Sequence, residues 1–443
     1  MKKVYILGAG TSKADGLPMQ GELIKNIFSL NFVRNREGQN FMDVELCNYS
    51  EDIMVAFDRF CEQREKLGLF LLRCFGTEAQ CRFAKSIDYS WNESDYNETI
   101  LHNNMINNAF LQVMHLDISL ENVFTILDLN IAAARFFREY STEELEEIRH
   151  ALVQCIIYVL SCQMEESATY INSKKMSNHI VKERLSVLPE DDNLTVITLN
   201  WDSIFDQELM EICTEHNISG DRKIFPDLCF YDNTFRGGEN RKPSTLIKAL
   251  GHYNIKLLKL HGSINWLYCP KCERMYVDYK QNIALKELGA GELDEQYCRK
   301  CKEKVMGKNA PKLHSLIITP TYIKRLENHY LQAIWHNAYI DLSEASEVIF
   351  IGYSLPDADY ELKNLLKRAI PGNARITVVL RQEDDPEYYR KLLQKEIADE
   401  STINQIIQKI DLPYRRYLNL FCSNDIIFRY DGVETYFEEE EYV

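Results

Sequence analysis

The sequence predicts an α/β fold in which a Rossmann-like parallel sheet carries a large helical insertion and a zinc ribbon. The chain opens with a strand, a glycine turn and a helix, in residues 4–28. Later runs are short, rich in β-branched residues and apolar at nearly every position, which is typical of strands buried on both faces of a parallel sheet. These runs are residues 194–198, 256–260, 315–318, 348–351 and 375–380. The chain between them leaves room for crossover helices, for example residues 358–370.

Length and charge narrow the classes of protein to consider. The 443 residues, 45% of them hydrophobic, suffice for one large domain with insertions or for two domains, and they argue against disorder. A formal net charge of −16, without a long basic run, disfavours direct nucleic-acid binding. No apolar run reaches the roughly 18 residues of a membrane helix, and the N-terminal apolar stretch is too short for a signal peptide. We therefore expect a cytoplasmic protein that binds neither nucleic acid nor membrane.

The middle of the chain differs in pattern from both ends. Between residues 141 and 160, apolar side chains recur every three or four positions, as in a helix. This change predicts a helical block inserted after the first strand and helix. The divisions we expect are a nucleotide-binding core at 1–30 and 191–400, a helical insertion at 31–190, a zinc ribbon at 263–312 within the core, and a C-terminal extension at 401–443.

Two glycine turns follow predicted strands. The first is Gly8-Ala9-Gly10-Thr11-Ser12, and the second begins Gly352-Tyr353-Ser354. Glycine lets the backbone approach a pyrophosphate, whose charge then meets free N–H groups and the positive end of the helix dipole. The first turn lacks the third glycine of the usual dinucleotide fingerprint, so a structural turn is an alternative. A plain strand–helix turn with Asp359 as the helix cap is the alternative for the second.

Polar residues follow two further strands. Asn200 and Asp202 come directly after residues 194–198, at the edge where open parallel sheets bind ligands. The alternative is that this pair caps the following helix. His261, followed by Gly262, ends the next strand and has the chemistry of a general base. A hydrogen-bonded structural histidine fits the same position.

Four of the 13 cysteines form two C-x-x-C pairs. These four are Cys269, Cys272, Cys298 and Cys301. Four thiolates close a tetrahedral zinc site without an open position, which would make the metal structural. A redox disulfide needs one pair and leaves the other unexplained. The remaining nine cysteines are expected to be ordinary residues of a reduced protein.

Taken together and in this order, the motifs resemble those of the SIR2 (sirtuin) superfamily. The chain shares with that superfamily the Gly-Ala-Gly-x-Ser turn, the Thr-x-Asn-x-Asp and His-Gly motifs, a zinc ribbon that begins eight residues after the histidine, and a Gly-x-Ser-Leu turn. The resemblance implies a SIR2-type fold that binds NAD. It implies that Asn200 holds the nicotinamide ribose and the attacking water, that Asp202 holds the carboxamide, and that His261 is the base at the ribose hydroxyls. The residues implied for the NAD phosphates are Gly8, Ala9, Gly10, Thr11 and Ser12, with Gly352 and Ser354 on the far side.

Departures from the superfamily pattern indicate which reaction to expect. Deacylating sirtuins continue the first motif as Gly-Ile-Pro-Asp-Phe-Arg, whereas residues 16–21 read Gly-Leu-Pro-Met-Gln-Gly. The Phe-Gly-Glu stretch of the acyl-lysine tunnel has no counterpart either, since residues 317–322 stand in its place. The motif forms are similar to those of SIR2-like antiphage proteins, which hydrolyse NAD to nicotinamide and ADP-ribose. That resemblance implies an NAD+ glycohydrolase in abortive infection, forming a homo-oligomer and in some systems joined by an ATPase or Argonaute-type partner.

Other functions remain as alternatives at this point. An NAD-dependent protein deacylase would use the same core. A non-catalytic module would bind NAD or ADP-ribose and signal through the helical insertion, although a pure binder needs no base at His261. A hydride-transfer dehydrogenase would leave the cysteine pairs and the His-Gly motif unexplained.

Overall fold

A computed structural model gives the architecture of the chain. It describes residues 1–29, 32–34, 40–42, 49–87, 96–167, 169–189, 191, 193–228, 253–278, 282–291, 296–305, 310–322, 326, 328–395, 397, 399–409 and 412–439. Within these residues, no helix is both long and apolar enough to cross a membrane.

Strands and helices alternate at both ends of the chain, and helices dominate its middle. The strands are β1 (Lys2–Leu7), β2 (Phe32–Arg34), β3 (Asn40–Met42), β4 (Leu194–Thr198), β5 (Ile224–Leu228), β6 (Tyr253–Lys259), β7 (Gly262–Tyr268), β8 (Met275–Val277), β9 (His314–Ile317), β10 (Ala345–Ile351), β11 (Arg375–Val379) and β12 (Asp425–Arg429). The helices are α1 (Ala9–Ala14), α2 (Leu23–Ser29), α3 (Glu51–Phe75), α4 (Glu78–Ser86), α5 (Tyr96–Met114), α6 (Leu120–Ala132), α7 (Thr142–Glu166), α8 (Ile171–Leu185), α9 (Ile204–Ser219), α10 (Arg299–Val305), α11 (His329–Ser343), α12 (Tyr360–Ala369), α13 (Pro386–Leu393), α14 (Glu400–Lys409), α15 (Pro413–Leu420) and α16 (Gly432–Glu439).

Seven strands form one sheet, in the order β12-β11-β10-β1-β4-β6-β5. Every neighbouring pair is parallel, which confirms the predicted α/β class. The chain runs outward from β1 through β4 on one side and from β10 to β12 on the other. The strand order therefore reverses between β1 and β10, and a reversal of this kind leaves a ligand crevice at the carboxyl ends of the strands.

The structure corrects one predicted strand and adds others. The run at 315–318 was expected in the parallel sheet, but β9 pairs antiparallel with β7 in a separate sheet of order β8-β7-β9. The composition of a short apolar run does not show which strand it will pair with. In addition, β9 is only partly buried, whereas a strand inside a parallel sheet is buried on both faces. Edge strand β5 was not predicted, and edge strand β12 lies in the C-terminal extension, where the sequence defined no strand bounds. The proline Pro226 interrupts the pattern of β5, and β12 has no fully buried residue.

The helical block predicted between the first helix and β4 is present as helices α3 to α8. The long helices α3 and α7 pack side by side, with the rings of Phe60 and Tyr158 stacked at 4.2 Å between centroids. Their apolar core continues into the cysteine ribbon through Ile264, Leu267 and Cys269. Helix α8 differs, because its buried residues belong to the apolar cluster on the main sheet. The ribbon and helices α3 to α7 thus share one core, whereas α8 packs as a cover of the sheet.

Candidate active site

The two glycine turns meet where β1 and β10 end side by side. The N–H of Gly10 donates to the carbonyl of Gly352 at 2.8 Å. A Cβ at Gly8 or Gly10 would lie 2.7 Å from the backbone of the second turn, and Gly352 has φ +61°. These glycines are needed because the two backbones touch, and because one of them is left-handed. Ser354 lies beyond this contact, where its carbonyl accepts a hydrogen bond from Arg416 at 3.1 Å.

Asn200 is held by the first turn. Its Nδ2 lies 3.0 Å from Gly8 O, 2.9 Å from Thr11 Oγ1 and 2.9 Å from Ser12 Oγ. The contact arises because β4 pairs directly with β1, so the loops that follow the two strands leave the sheet together. Residues almost 190 positions apart in the chain are thereby joined at the carboxyl edge of the sheet.

Asp202 is buried and bonded through both carboxylate oxygens. Oδ2 accepts from the Ser12 hydroxyl at 2.7 Å, and Oδ1 accepts from the N–H of Ile204 at 3.2 Å, at the start of α9. Asp202 therefore faces the first turn and caps the helix at the same time. Beneath it, Lys259 donates to the Asp202 carbonyl at 2.6 Å and pairs with Asp206 at 3.0 Å. Burial raises the pKa of Asp202, opposed by the Lys259 charge and the Ser12 hydrogen bond.

His261 follows β6 and faces a carboxylate that has a second partner. Its Nε2 lies 3.7 Å from Oδ1 of Asp359, whose Oδ2 accepts a hydrogen bond from the Tyr353 hydroxyl at 2.7 Å. Burial, together with the Asp359 charge, raises the pKa of Tyr353 well above its usual value, so this phenol remains a donor. Asp359 occupies the position before α12, yet its side chain makes no capping bond. The sequence predicted Asp359 only as a possible helix cap. Its position beside His261 is seen only in the folded chain.

The loop that carries His261 is hydrogen-bonded to the end of β9. The carbonyl of His261 accepts from Ile318 N–H at 2.9 Å, and the Trp201 indole donates to Ile318 O at 3.2 Å. Gly262 has φ +74°, and a Cβ there would overlap the Leu316 carbonyl. Glycine follows His261 because the antiparallel strand passes too closely for any side chain.

One cavity of about 70 Å³ connects these groups. Its polar lining consists of Ser12, Gln20, Asn200, Asp202, His261 and Asp359. Its apolar lining consists of Ala9, Leu17, Pro18, Leu23, Leu160, Leu199, Trp201, Ile318 and Pro320. All three predicted catalytic residues line this cavity, and so do Ala9 and Ser12 of the first turn. The other predicted phosphate-binding residues, Gly8, Gly10, Thr11, Gly352 and Ser354, lie outside its lining.

The helical insertion contributes one wall of the cavity and makes hydrogen bonds to the segment that forms another wall. Leu160 of α7 reaches the cavity directly. Arg149, also on α7, donates to Thr319 Oγ1 at 3.0 Å and to Asp128 of α6 at 2.6 Å. The N–H of Tyr322 donates to Thr125 of α6 at 3.2 Å. The segment after β9 is thus covered by helices α6 and α7.

The four predicted zinc ligands converge on one point. Their sulfur atoms all lie within 4.8 Å of one another, with 3.8 Å between Cys269 and Cys301 and 3.6 Å between Cys272 and Cys298. Thiolates about 2.3 Å from a tetrahedral zinc ion are separated by about 3.8 Å. Burial raises the pKa of the Cys269 thiol to about 12, so a cation is needed to hold it ionised. The cluster has the composition and spacing to bind structural zinc.

Comparison with known proteins yields similar solved structures. No family model matches the chain, and no curated protein matches it. A structure of Sir2Tm bound to a propionylated peptide is 14% identical, with a TM-score of 0.29, and the match covers 85% of this chain and 80% of that one. A structure of Sir2 with a p53 peptide and NAD+ is 14% identical over the same shares, with a TM-score of 0.28. Both are structures of Sir2 proteins.

Proposed function

We propose that this chain is an NAD+ glycohydrolase that cleaves the bond between nicotinamide and ribose, giving nicotinamide and ADP-ribose. The observation that supports it is the gathering of Asn200, Asp202 and His261 around one cavity beside two interlocked glycine turns. These three side chains come from loops after two neighbouring parallel strands. Each is a group that the reaction needs.

The charge of the cavity suits the reaction. In NAD+ the nicotinamide ring is cationic, and its departure leaves positive charge on the ribose. Asp202 and Asp359 line the cavity, and carboxylates in a site shielded from water stabilise such charge strongly. NAD also carries two phosphates, which the net charge of −16 repels, so its affinity has to come from backbone N–H groups and local contacts at the turns.

The side chains divide the chemical work. Asp202 would grip the carboxamide of nicotinamide, and Asn200 would hold the ribose and the attacking water near the first turn. His261 would take a proton from the ribose hydroxyls or the water, with its ring oriented by Asp359 at 3.7 Å. Water adds its oxygen to the ribose carbon as the bond to nicotinamide breaks, and one proton is released. The balance requires no further reagent.

Coverage by the helical insertion favours water over an acyl peptide as the nucleophile. Leu160 lines the cavity, and Arg149 and Thr125 bind the segment at 319–322. An acylated lysine would have to displace these contacts, whereas water does not. A protein deacylase remains the alternative, together with a module that binds NAD or ADP-ribose without turnover.

The small cavity is consistent with an enzyme that is held inactive. A volume of about 70 Å³ accommodates about five waters, so a dinucleotide would have to extend out of this cavity or move its walls. Gln20, in the 3-10 helix Gln20–Glu22 before α2, bonds to Glu121 of α6, so this wall is tied to the helical insertion. A trigger acting on the insertion would release it. The antiphage role, the homo-oligomer and an ATPase or Argonaute-type partner belong to the same proposal and rest on the motif resemblance. A cytoplasmic location is also part of the proposal and rests on the hydropathy pattern of the sequence.

The test is incubation of the purified chain with NAD and no acyl peptide, followed by chromatography of the products. Nicotinamide and ADP-ribose should appear, and Asn200→Ala and His261→Ala should reduce their release by about 10²-fold or more. His329→Ala, which changes an exposed histidine, should leave it unchanged. Full activity in both site variants would refute the roles given to these residues. Strict dependence on an acylated peptide would favour the deacylase, and tight NAD binding without turnover would favour the binding module.

A further inference from the structure

A second cluster of metal-ligating side chains lies where the helical insertion meets the cysteine ribbon. It consists of His150 on α7, Glu287 in the 3-10 helix Ile283–Leu288, and His314 at the start of β9. One ligand atom from each lies within 4.8 Å of the others. The three residues come from separate elements and are far apart in the chain, so the fold alone brings them together.

Glu287 is the anomaly in this cluster. Its side chain is only 3% exposed, and both carboxylate oxygens are buried without a hydrogen-bond partner. His314 is a cationic candidate beside it, since its Nδ1 lies 3.2 Å from Oε1. A buried carboxylate without donors is costly unless a cation compensates it. The geometry therefore leaves a place for a positive charge between Glu287 and the two imidazoles.

The imidazoles are arranged as ligands. The rings of His150 and His314 lie 5.7 Å apart between centroids, with planes at 70°. The amide of Gln154 lies 3.0 Å from Nε2 of His150 and also contacts the backbone carbonyl of Glu287 at 3.3 Å. This amide group therefore joins the ring of His150 to the backbone of Glu287.

We propose that His150, Glu287 and His314 form a second metal site that binds a divalent transition metal, foremost Zn²⁺, with one coordination position left for water. Two imidazoles and a carboxylate are a ligand set that zinc accepts, and three protein ligands leave a tetrahedral ion open. Ligands about 2.0 Å from such an ion are about 3.3 Å apart, close to the 3.2 Å between His314 and Glu287. The site differs from the four-cysteine cluster, which is closed.

The metal would act as a clamp between the helical insertion and the wall of the cavity. It would join α7, which carries Leu160 and Arg149, to β9, which leads directly to Ile318. Ile318 donates to the carbonyl of His261. Binding should therefore stabilise the contact between the insertion and the ribbon, whether or not the chain hydrolyses NAD.

The test is to saturate the purified full chain with zinc, dialyse it, and measure the bound zinc by mass spectrometry. We expect two zinc ions per wild-type chain, one per chain of His314→Ala or Glu287→Gln, and two for the control His329→Ala. The His314 side chain is 42% exposed, so its replacement should not disturb folding. Equal zinc content in wild type and His314→Ala would overturn the proposal.

Cobalt distinguishes the two sites within one sample. Cobalt on the cysteines gives intense thiolate charge-transfer bands, whereas cobalt on imidazole and carboxylate gives only weak visible bands. In His314→Ala the thiolate bands should persist, which also verifies folding, and the second equivalent of cobalt should be lost. A wild-type chain that takes one equivalent, all of it on the cysteines, would refute the second site.

Discussion

Oδ1 of Asp359 lies 3.7 Å from Nε2 of His261, while the other oxygen of the same carboxylate is bonded to the Tyr353 hydroxyl. The tyrosine fixes the carboxylate, and the carboxylate in turn faces the proposed base. Tyr353 is fixed itself, because its carbonyl accepts from the buried Tyr417 hydroxyl at 2.8 Å. His261 thus faces a carboxylate that is itself held through Tyr353 and Tyr417.

The first prediction concerns this positioning. Asp359→Asn should lower kcat for nicotinamide release by about tenfold or more, with little change in KM for NAD, because the ring of His261 loses a charged partner and keeps its neighbours. Tyr353→Phe should have a smaller effect in the same direction. Steady-state kinetics measure kcat and KM separately for each variant. A rise in KM with kcat unchanged would mean that Asp359 binds substrate and does not orient the base.

The second prediction uses the buried carboxylate of Asp202. Burial raises its pKa in the folded chain, so the folded state holds this proton more tightly than the unfolded state. The associated stability is present below the unfolded pKa, near 3.8, and is lost as the pH rises through the folded value. Asp202→Asn replaces the ionisable carboxyl group with a neutral amide, so the variant does not lose this stability as the pH rises. Its melting temperature should equal or exceed that of wild type at pH 7, and the advantage should disappear towards pH 4.

The same variant should lose activity while it keeps its fold. An amide still accepts from Ile204 or Ser12, but it lacks the charge that favours the cationic ring of NAD. Thermal melts at both pH values and a nicotinamide assay give the two readouts. A melting temperature that falls by the same amount at pH 4 and pH 7 would show that the pKa of Asp202 is not raised.

The third prediction separates glycines that are needed from one that is not. Gly10→Ala and Gly352→Ala should each destabilise the chain by about 1–3 kcal/mol or more, because the new Cβ would meet backbone at distances of 2.6 to 2.8 Å. Gly352→Ala also requires alanine at φ +61°. Gly21→Ala is the matched control, since a Cβ there meets nothing within 4 Å. Equal melting temperatures for all three variants would contradict the contact between the turns.

The fourth prediction concerns the cysteine cluster. Cys272→Ser should remove one zinc ion and lower the melting temperature, because the cluster shares its apolar core with helices α3 to α7. Cys422→Ser, at an exposed cysteine outside the cluster, is the control and should change neither. Metal analysis and calorimetry provide the measurements. If Cys272→Ser kept the zinc content and stability of wild type, the cluster would not be a structural metal site.

Several features of the fold could be predicted because they depend on local pattern. The opening strand and glycine turn, the four cysteines and the helix at 360–369 follow from composition, spacing and turn chemistry. Strand partners do not follow in this way. The run at 315–318 has the composition of a parallel strand, yet it pairs with β7, since β-branched residues fit either kind of sheet.

The sequence by itself determined which chemical groups this protein possesses and at which strand ends they stand. Only the tertiary structure decided which of these groups meet. Pairing of β4 with β1 brought Asn200 to Ser12, the turn after β10 brought Asp359 to His261, and packing of α7 on the ribbon brought His150 to His314. Such contacts join residues far apart in the chain. Their formation depends on strand order and helix packing, which are global properties that local sequence pattern does not encode.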